Sequence, residues 1–415
     1  MFQLSTHAAI DELPATEWNA LAGDDLPFLR HEFLAAMEHQ GAVGERFGWL
    51  PRHLALRDQG GRLLAAAPCY LKFNSYGEFV FDWAWADAYR RAGRRYYPKL
   101  VIASPYTPAT GPRILTGPSP RRPELAAALI RGAVQLAEQT EVSGLHWLFS
   151  TEEEIGWMRT AGLMPRLGCQ FHWSNQGYGS FEQLLATFSA EKRKKVKRER
   201  RRVADAGVQI RRVRGDEVSD RKWAIFHRLY EDTFDKRGGI PTLSLGFFRE
   251  IGRTMGEQVL LIFAEYGGEV VAAAFCLAGA RTLYGRHWGC SHDFHSLHFE
   301  ACYYQGLDHC IEQGLARFEP GAQGEHKISR GFLPTRTWSA HWIADPTFRR
   351  PIGAFLDHEI EGMEDYIGEM QGRSPYRRDG AAPGLEDTRE ADSRSRQAAG
   401  PTPPQAAGQR HVGAG

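Results

Sequence analysis

One order of apolar periods occurs twice along the chain. In the first half an amphipathic helix (25–43) precedes two strand-like runs, RHLALRD and RLLAAAPCYLKF, joined at QGGR. The helix ELAAALIRGAVQLAEQT (124–140), the strand SGLHWLFS (143–150), a short helix ending at Gly162 and the strand GCQFHWSN (168–175) follow. The second half begins with a helix over 180–207, the strand VQIRRV, and helices over 219–238 and 244–256. Three antiparallel strands then span 258–290, the first turn carrying Gly267-Gly268. The helix LHFEACYYQGLDHCIEQG (297–314) and the strand LARFEP complete the series. Helices, a β-hairpin, then helix and strand: a pattern used twice predicts two similar α/β (α+β) units, although the letters of the halves do not match.

The length agrees, since 415 residues exceed one ordinary core. The boundaries read are 1–175, 176–371 and a tail, 372–415, whose Pro, Gly, Ala, Ser and Arg content predicts disorder. A formal net charge of +1 gives no global bias toward nucleic acid or anionic membrane. The acidic start lacks the basic-then-apolar pattern of a secretion signal, and no apolar run approaches the roughly 18–20 residues of a membrane span. Six scattered cysteines without a C-x-x-C read as reduced, buried thiols, so the expected compartment is the cytoplasm.

Charge is local instead. Lys192, Arg193, Lys194, Lys195, Lys197 and Arg198 open a basic helical run that leaves Val196 and Val203 as its apolar seam. So dense a run is a candidate anion site as well as a solvated face. His287, His292, His295 and His298 lie near Cys290 and Glu300 without H-x-x-x-H or C-x-x-C spacing, so no metal is assigned and a polar pocket wall is expected. The segments FDWAWADAYRRAGRRYYPKL and PYTPATGPR offer Asp82, Trp83, Asp87 and Arg113 for sugar or peptide recognition, or form an irregular loop packed by its own aromatics. The loop after LARFEP crowds Glu319, Gln323, Glu325, His326, Lys327 and Arg330 among three glycines that would let backbone approach a ligand.

In GEFVFDWAWADAY, PYTPATGPRIL, SAEKRKKVKRERRRV, YGRHWGC, the long block 297–335 and SAHWI, the chain resembles the FemAB-like N-acyltransferases of the GNAT superfamily, over about residues 15–370. The resemblance implies tandem GNAT-like domains and acyl or aminoacyl transfer to an amine, with a small-molecule or cell-wall precursor as acceptor. Acyl-CoA or aminoacyl-tRNA would be the donor substrate, with no bound cofactor. Where typical GNAT enzymes carry a glycine-rich loop for CoA, this chain has GCSHDFHSLHF.

Such a reaction needs a base for the amine, donors for the acyl carbonyl and an acid for the leaving group. Glu319, Glu325, His326, Tyr303 and Glu300 are the catalytic candidates. Arg286, His287, Gln323, Lys327 and Arg330 are expected on substrate, and the basic helix on the donor's phosphates. A non-catalytic module of the same fold, recognising a cell-wall precursor or RNA, is the alternative.

Overall fold

The computed structural model describes residues 2–322 and 324–377. In chain order its strands are β1 (Gln3–His7), β2 (Trp49–Pro51), β3 (His53–Arg57), β4 (Leu63–Ala67), β5 (Cys69–Lys72), β6 (Lys99–Ile102) and β7 (Gly144–Ser150). There follow β8 (Met164–Ser174), β9 (Gln209–Arg214), β10 (Val259–Tyr266), β11 (Glu269–Ala278), β12 (Thr282–Cys290), β13 (Arg317–Glu319) and β14 (Leu333–Ile343). β1, β3 and β4 form a small antiparallel sheet. The other eleven make one sheet in the order β2-β5-β6-β7-β14-β8-β13-β12-β11-β10-β9.

That order is nearly palindromic about β14 and β8. In each half an antiparallel pair (β5–β6, joined through the helix Trp83–Arg91, and the β-hairpin β11–β12) is followed by a strand parallel to its second member (β7 beside β6, β13 beside β12). Parallel neighbours need a long crossover, and helices supply it: Arg122–Gln139 in one half and the helical stretch from Leu297 to Glu312 in the other. The halves exchange their last strands. β14 lies between β7 and β8, and β8 reaches across to β13. Residue 175 therefore ends a strand while the sheet runs on.

Helix Arg122–Gln139 buries Leu125, Leu129 and Ile130 with Leu145 and Trp147 of β7. Its counterpart buries Tyr304, Leu307 and Cys310 with Phe318 of β13. Each such large apolar side chain contributes about 1.5–3 kcal/mol. The second crossover is not regular: Glu300–Tyr304 forms a π-turn, a widening that often accompanies functional positions.

Three features depart from the sequence reading. The 81–100 segment is not irregular throughout, because Trp83–Arg91 is a helix with Trp85 and Tyr89 inward. Pro346–Gly372 is a long helix, with Pro346 where its missing N–H costs nothing. The tail begins later than residue 372, since Ser189 N donates to Pro375 O and the Tyr376 hydroxyl donates to Gly331 O at 2.8 Å. Tyr376 also packs on Phe188. Residues 378–415 of the expected tail lie outside the described residues.

Candidate active site

β13 has only three residues, and Pro320 ends it by withholding the next backbone donor. Phe318 is fully buried, so alternation turns Arg317 and Glu319 to the other face. On one side β13 pairs with β12 from Thr282 to Tyr284, Glu319 standing opposite Tyr284. On the other, β8 pairs with β14 up to His172 and with β13 at Trp173 and Ser174. The sheet forks between residues 172 and 173, and Glu319 sits at the fork. Two glycines let neighbours close on it. A Cβ on Gly306 would stand 2.4 Å from the Phe318 ring, and one on Gly285 would stand 3.2 Å from the Pro320 Cα.

Glu319 is 3% exposed, and neither carboxylate oxygen makes a well-formed hydrogen bond. Burial pushes its carboxyl up to about 7; Arg317, the Thr110 backbone amide and Arg113 pull the other way. His172 Nδ1 is 3.8 Å from Glu319 Oε1, beyond hydrogen-bond length. Burial pushes the His172 imidazole down to about 3, so it is neutral. Its tautomer follows from its neighbours. Gln170 donates from Nε2 to Pro108 O at 2.7 Å, so Gln170 Oε1 accepts from His172 Nε2 at 3.0 Å. Nδ1 then carries a lone pair facing Glu319.

Two arginines, the buried Arg113 and the partly buried Arg286, complete the surroundings without hydrogen-bonding the carboxylate. Arg113 is held by the carbonyls of Ala109, Gly111 and Pro112. Its loop is fixed by Glu154, which accepts from the backbone of Arg113 and Ile114 at 2.7 Å each. Arg286 donates to Tyr106 O. Burial pushes each guanidinium down to about 10, with Glu319 among the charges opposing the fall. Glu319 Oε1 and Oε2, His172 Nδ1, Thr110 Oγ1 and Arg113 Nε are all buried and unpartnered. Folded proteins hold few such atoms. Gathered around one carboxylate, they can take up a proton and offer hydrogen bonds to a polar ligand.

The other expected residues are distributed around this centre. Lys327 is buried, donates to Gly321 O at 2.6 Å and is pushed by burial down to about 8; its charge reaches His172. Tyr303 and His326 share a 2.9 Å hydrogen bond, and burial lowers His326. Arg330 forms a buried two-pronged pair with Glu199, which also accepts from the Tyr304 hydroxyl. Glu300 is committed to Arg200 at 3.0 Å and to Gln305 at 2.8 Å. Glu325 is half-exposed and bonds Arg373 and Tyr366. His287 sits among Tyr230, Phe248 and Phe275, pushed down to about 3 by burial. Gln323 lies outside the described residues.

In the first half, Asp82 is buried on Lys99 and Tyr96, while Trp83 and Asp87 lie on the exposed face of their helix. On the basic helix Ala190–Asp205, Glu199 joins Val196 and Val203 on the buried seam. Lys194, Lys197 and Arg198 face solvent; Lys197 pairs with Glu182, Lys192 with Glu191, and Lys195 reaches Ser329 Oγ at 3.4 Å. Arg193 is half-buried on the same helix. A groove of about 320 Å³ runs beside it, lined by Arg200, Arg201, Ala204 and Glu300. Among the described residues no three His, Cys, Asp or Glu side chains gather as a metal site.

Sequence reasoning missed His172, Gln170 and Thr110. The signal was faint: Gln170 and His172 are alternate residues of GCQFHWSN, hence two polar groups on one face of a strand otherwise rich in aromatics.

Comparison with known proteins agrees with this architecture. The FemAB-like family, described as peptidoglycan biosynthesis/recognition, matches residues 9–378. No curated protein sequence matches the chain. Among solved structures, the C-terminal DUF2156 domain of a protein assigned as a lysylphosphatidylglycerol synthetase from Agrobacterium fabrum superposes with TM-score 0.53 at 9% identity, covering 84% of this chain and 97% of that one. FemX gives TM-score 0.51 at 11% identity over 85% and 100%. A conserved protein from Bacteroides thetaiotaomicron gives 0.50 at 10% identity over 83% and 100%. The fold is mixed α/β, and the two halves of its large sheet repeat one order of elements.

Proposed function

The chain belongs to the FemAB-like family, and from that premise we propose that it is an N-acyltransferase acting on a cell-wall precursor, with Glu319 taking the proton of the attacking amine. The buried, unpartnered Glu319 carboxyl at the fork, poised at about 7, carries this reading. A base is most effective when its pKa lies near the working pH.

The amine nitrogen attacks the acyl carbonyl carbon of an activated thioester or ester. A C–N bond forms and the C–S or C–O bond to the donor breaks. The amine's proton passes to Glu319 and from there to the departing sulfur or oxygen, which leaves as thiol or hydroxyl and returns Glu319 to its carboxylate. The products are an amide and the discharged donor. His172 Nδ1 offers a lone pair to the protonated Glu319 once the 3.8 Å gap closes. Arg113 and Arg286 supply positive potential where charge develops on the carbonyl oxygen. The donor, acyl-CoA or aminoacyl-tRNA, would place its phosphates on the basic helix, where Lys194 and Arg198 face solvent.

The test uses the full chain with acyl-CoAs, charged tRNA and cell-wall precursors, first by thermal shift and then by mass spectrometry of the amide. Glu319→Gln is expected to lower turnover about 10²–10⁴-fold while leaving the donor's thermal shift intact. The wild-type rate should climb as pH rises through about 7, where Glu319 becomes ionised. Neutralising Lys194, Lys195 and Arg198 together should weaken donor binding. Full turnover by Glu319→Gln removes the carboxylate from the mechanism, and binding without turnover for every donor favours a recognition module.

A further inference from the structure

Eight large apolar side chains are exposed among the described residues, and five of them fall within eleven positions: Phe73, Tyr76, Phe79, Phe81 and Trp83. Isolated exposed aromatics need no explanation, but a contiguous group does. Tyr76 and Trp83 are in ring contact, with centroids 5.2 Å apart.

The segment is pinned from beneath. Glu78 and Asp82 alternate with the exposed aromatics and turn inward onto the buried Lys99 amine. Ser75 bonds the Tyr97 hydroxyl, Trp49 Nε1 donates to Tyr76 O, and Arg166 donates to Phe81 O. Phe79 is held at φ 58, a strained conformation for an aromatic residue that persists only where its surroundings fix it. This buried polar clamp lies outside the Glu319 centre. Its effect is to hold Phe79, Phe81 and Trp83 rigidly outward.

Charge adjoins the aromatic tips. Trp83 opens a helix whose exposed face continues through Asp87, Arg90 and Arg91, at i+4, i+7 and i+8. Arg94 and Arg95 follow, also exposed. From residue 73 to 95, four exposed arginines stand against one partly exposed acid, Asp87, which pairs with Arg90 and, at 3.1 Å, with Arg91; Arg94 and Arg95 add two further positive charges.

We propose that this face docks the protein peripherally on an anionic phospholipid surface. The aromatic tips would enter the boundary between headgroups and acyl chains, and Arg90, Arg91, Arg94 and Arg95 would meet lipid phosphates at its edge. Aromatic rings and basic groups partition to those two layers of a bilayer. Among the described residues no helix is long and apolar enough to cross a membrane, so the attachment is to the surface. The inference goes beyond acyl transfer and its test needs no turnover.

The experiment sediments the full chain with vesicles of phosphatidylglycerol and phosphatidylcholine in equal parts, and with phosphatidylcholine alone. At least tenfold preference for the anionic vesicles is expected, falling with added salt. A Phe79→Ser, Phe81→Ser, Trp83→Ser variant should lose at least tenfold in partitioning with an unchanged melting curve. Replacing the four arginines by alanine should remove the anionic preference, and replacing them by lysine should keep most of it. The proposal is overturned if the wild type ignores both vesicles, or if the correctly folded aromatic variant binds as before. It is equally overturned if that variant converts a wild-type dimer into a monomer, since the patch then seats a second copy. Should the aromatic variant unfold, the arginine set decides: unchanged binding after Arg→Ala overturns the proposal.

Discussion

Glu78 in the first half and Glu319 in the second are both buried, and burial pushes both carboxyls up to about 7. Their surroundings differ. Glu78 has the Lys99 amine at 2.8 Å, shared with Asp82, whose carboxyl is held down at about 2 against its burial, chiefly by Lys99. Glu319 has no hydrogen-bonded cation: Arg317, half-exposed, makes only a long 3.8 Å ion pair with it, and the neutral His172 stands at the same distance. A displaced titration therefore does not distinguish a clamp from a reaction centre. The partner does. A buried acid hydrogen-bonded to a buried cation is committed to holding a segment in place, whereas one with only a long pair to a half-exposed arginine keeps its oxygens open to a proton.

The contrast breaks most visibly through stability. Lys99→Met leaves Glu78 and Asp82 buried without a cation and is expected to lower stability by about 3–5 kcal/mol, read from denaturant unfolding. Glu319→Gln removes only the long 3.8 Å pair with the half-exposed Arg317, a pair that contributes little, so at neutral pH it should leave stability unchanged or raised. Comparable losses in the two variants would erase the distinction.

The next effect sharpens the comparison by pH. The folded value of Glu319 lies above its ordinary 4.5. Its contribution thus favours the folded state fully below about 4.5 and is lost as pH rises through about 7, about 3 kcal/mol in all. The stability advantage of Glu319→Gln over wild type should grow across that window and then level off. Asp82 behaves oppositely, since its folded value is depressed. Its contribution is present above its ordinary 3.8 and is lost as pH falls through about 2. An advantage for Glu319→Gln that stays flat from acid to neutral pH would mean that the carboxylate is not displaced.

The smallest effect sets a baseline. Glu325 and Arg373 form a half-exposed pair at 2.9 Å, so Arg373→Ala should change stability by about 0–1 kcal/mol. A larger loss would show that the 325–330 turn depends on that contact, and would bring Glu325 closer in kind to Glu78.

Much of this was legible in the letters. The apolar periods located the β3–β4 and β10–β11–β12 turns, both crossover helices and the strand carrying Glu319, because those signals are local; β6, which pairs with β5 across a helix, was not located. The partners were not legible. Glu300 meets Arg200, and Arg330 meets Glu199, across separations of 100 and 131 residues, and no spacing rule spans such distances. Asp82 looked available to a ligand because its segment is aromatic and irregular, yet Lys99 draws it inward. The set around Glu319 was half visible. Arg113, Arg286 and Glu319 were named on chemistry, but His172 and Gln170 arrive only because β8 changes partner at the fork. The helix Pro346–Gly372 escaped notice because its two prolines suggest interruption, although Pro351 lies within one continuous helix.

The exchanged strands set a clock on synthesis. The first half has all its own strands once residue 175 is made, but β14, which fills the gap between β7 and β8, ends at Ile343. A further 168 residues, from 176 to 343, must follow before that gap closes, which at about 5–20 residues per second is roughly ten to thirty seconds. Through that interval the nascent chain carries two unpaired strand edges, and it is then, before any substrate is met, that it is most exposed to mispairing with another chain.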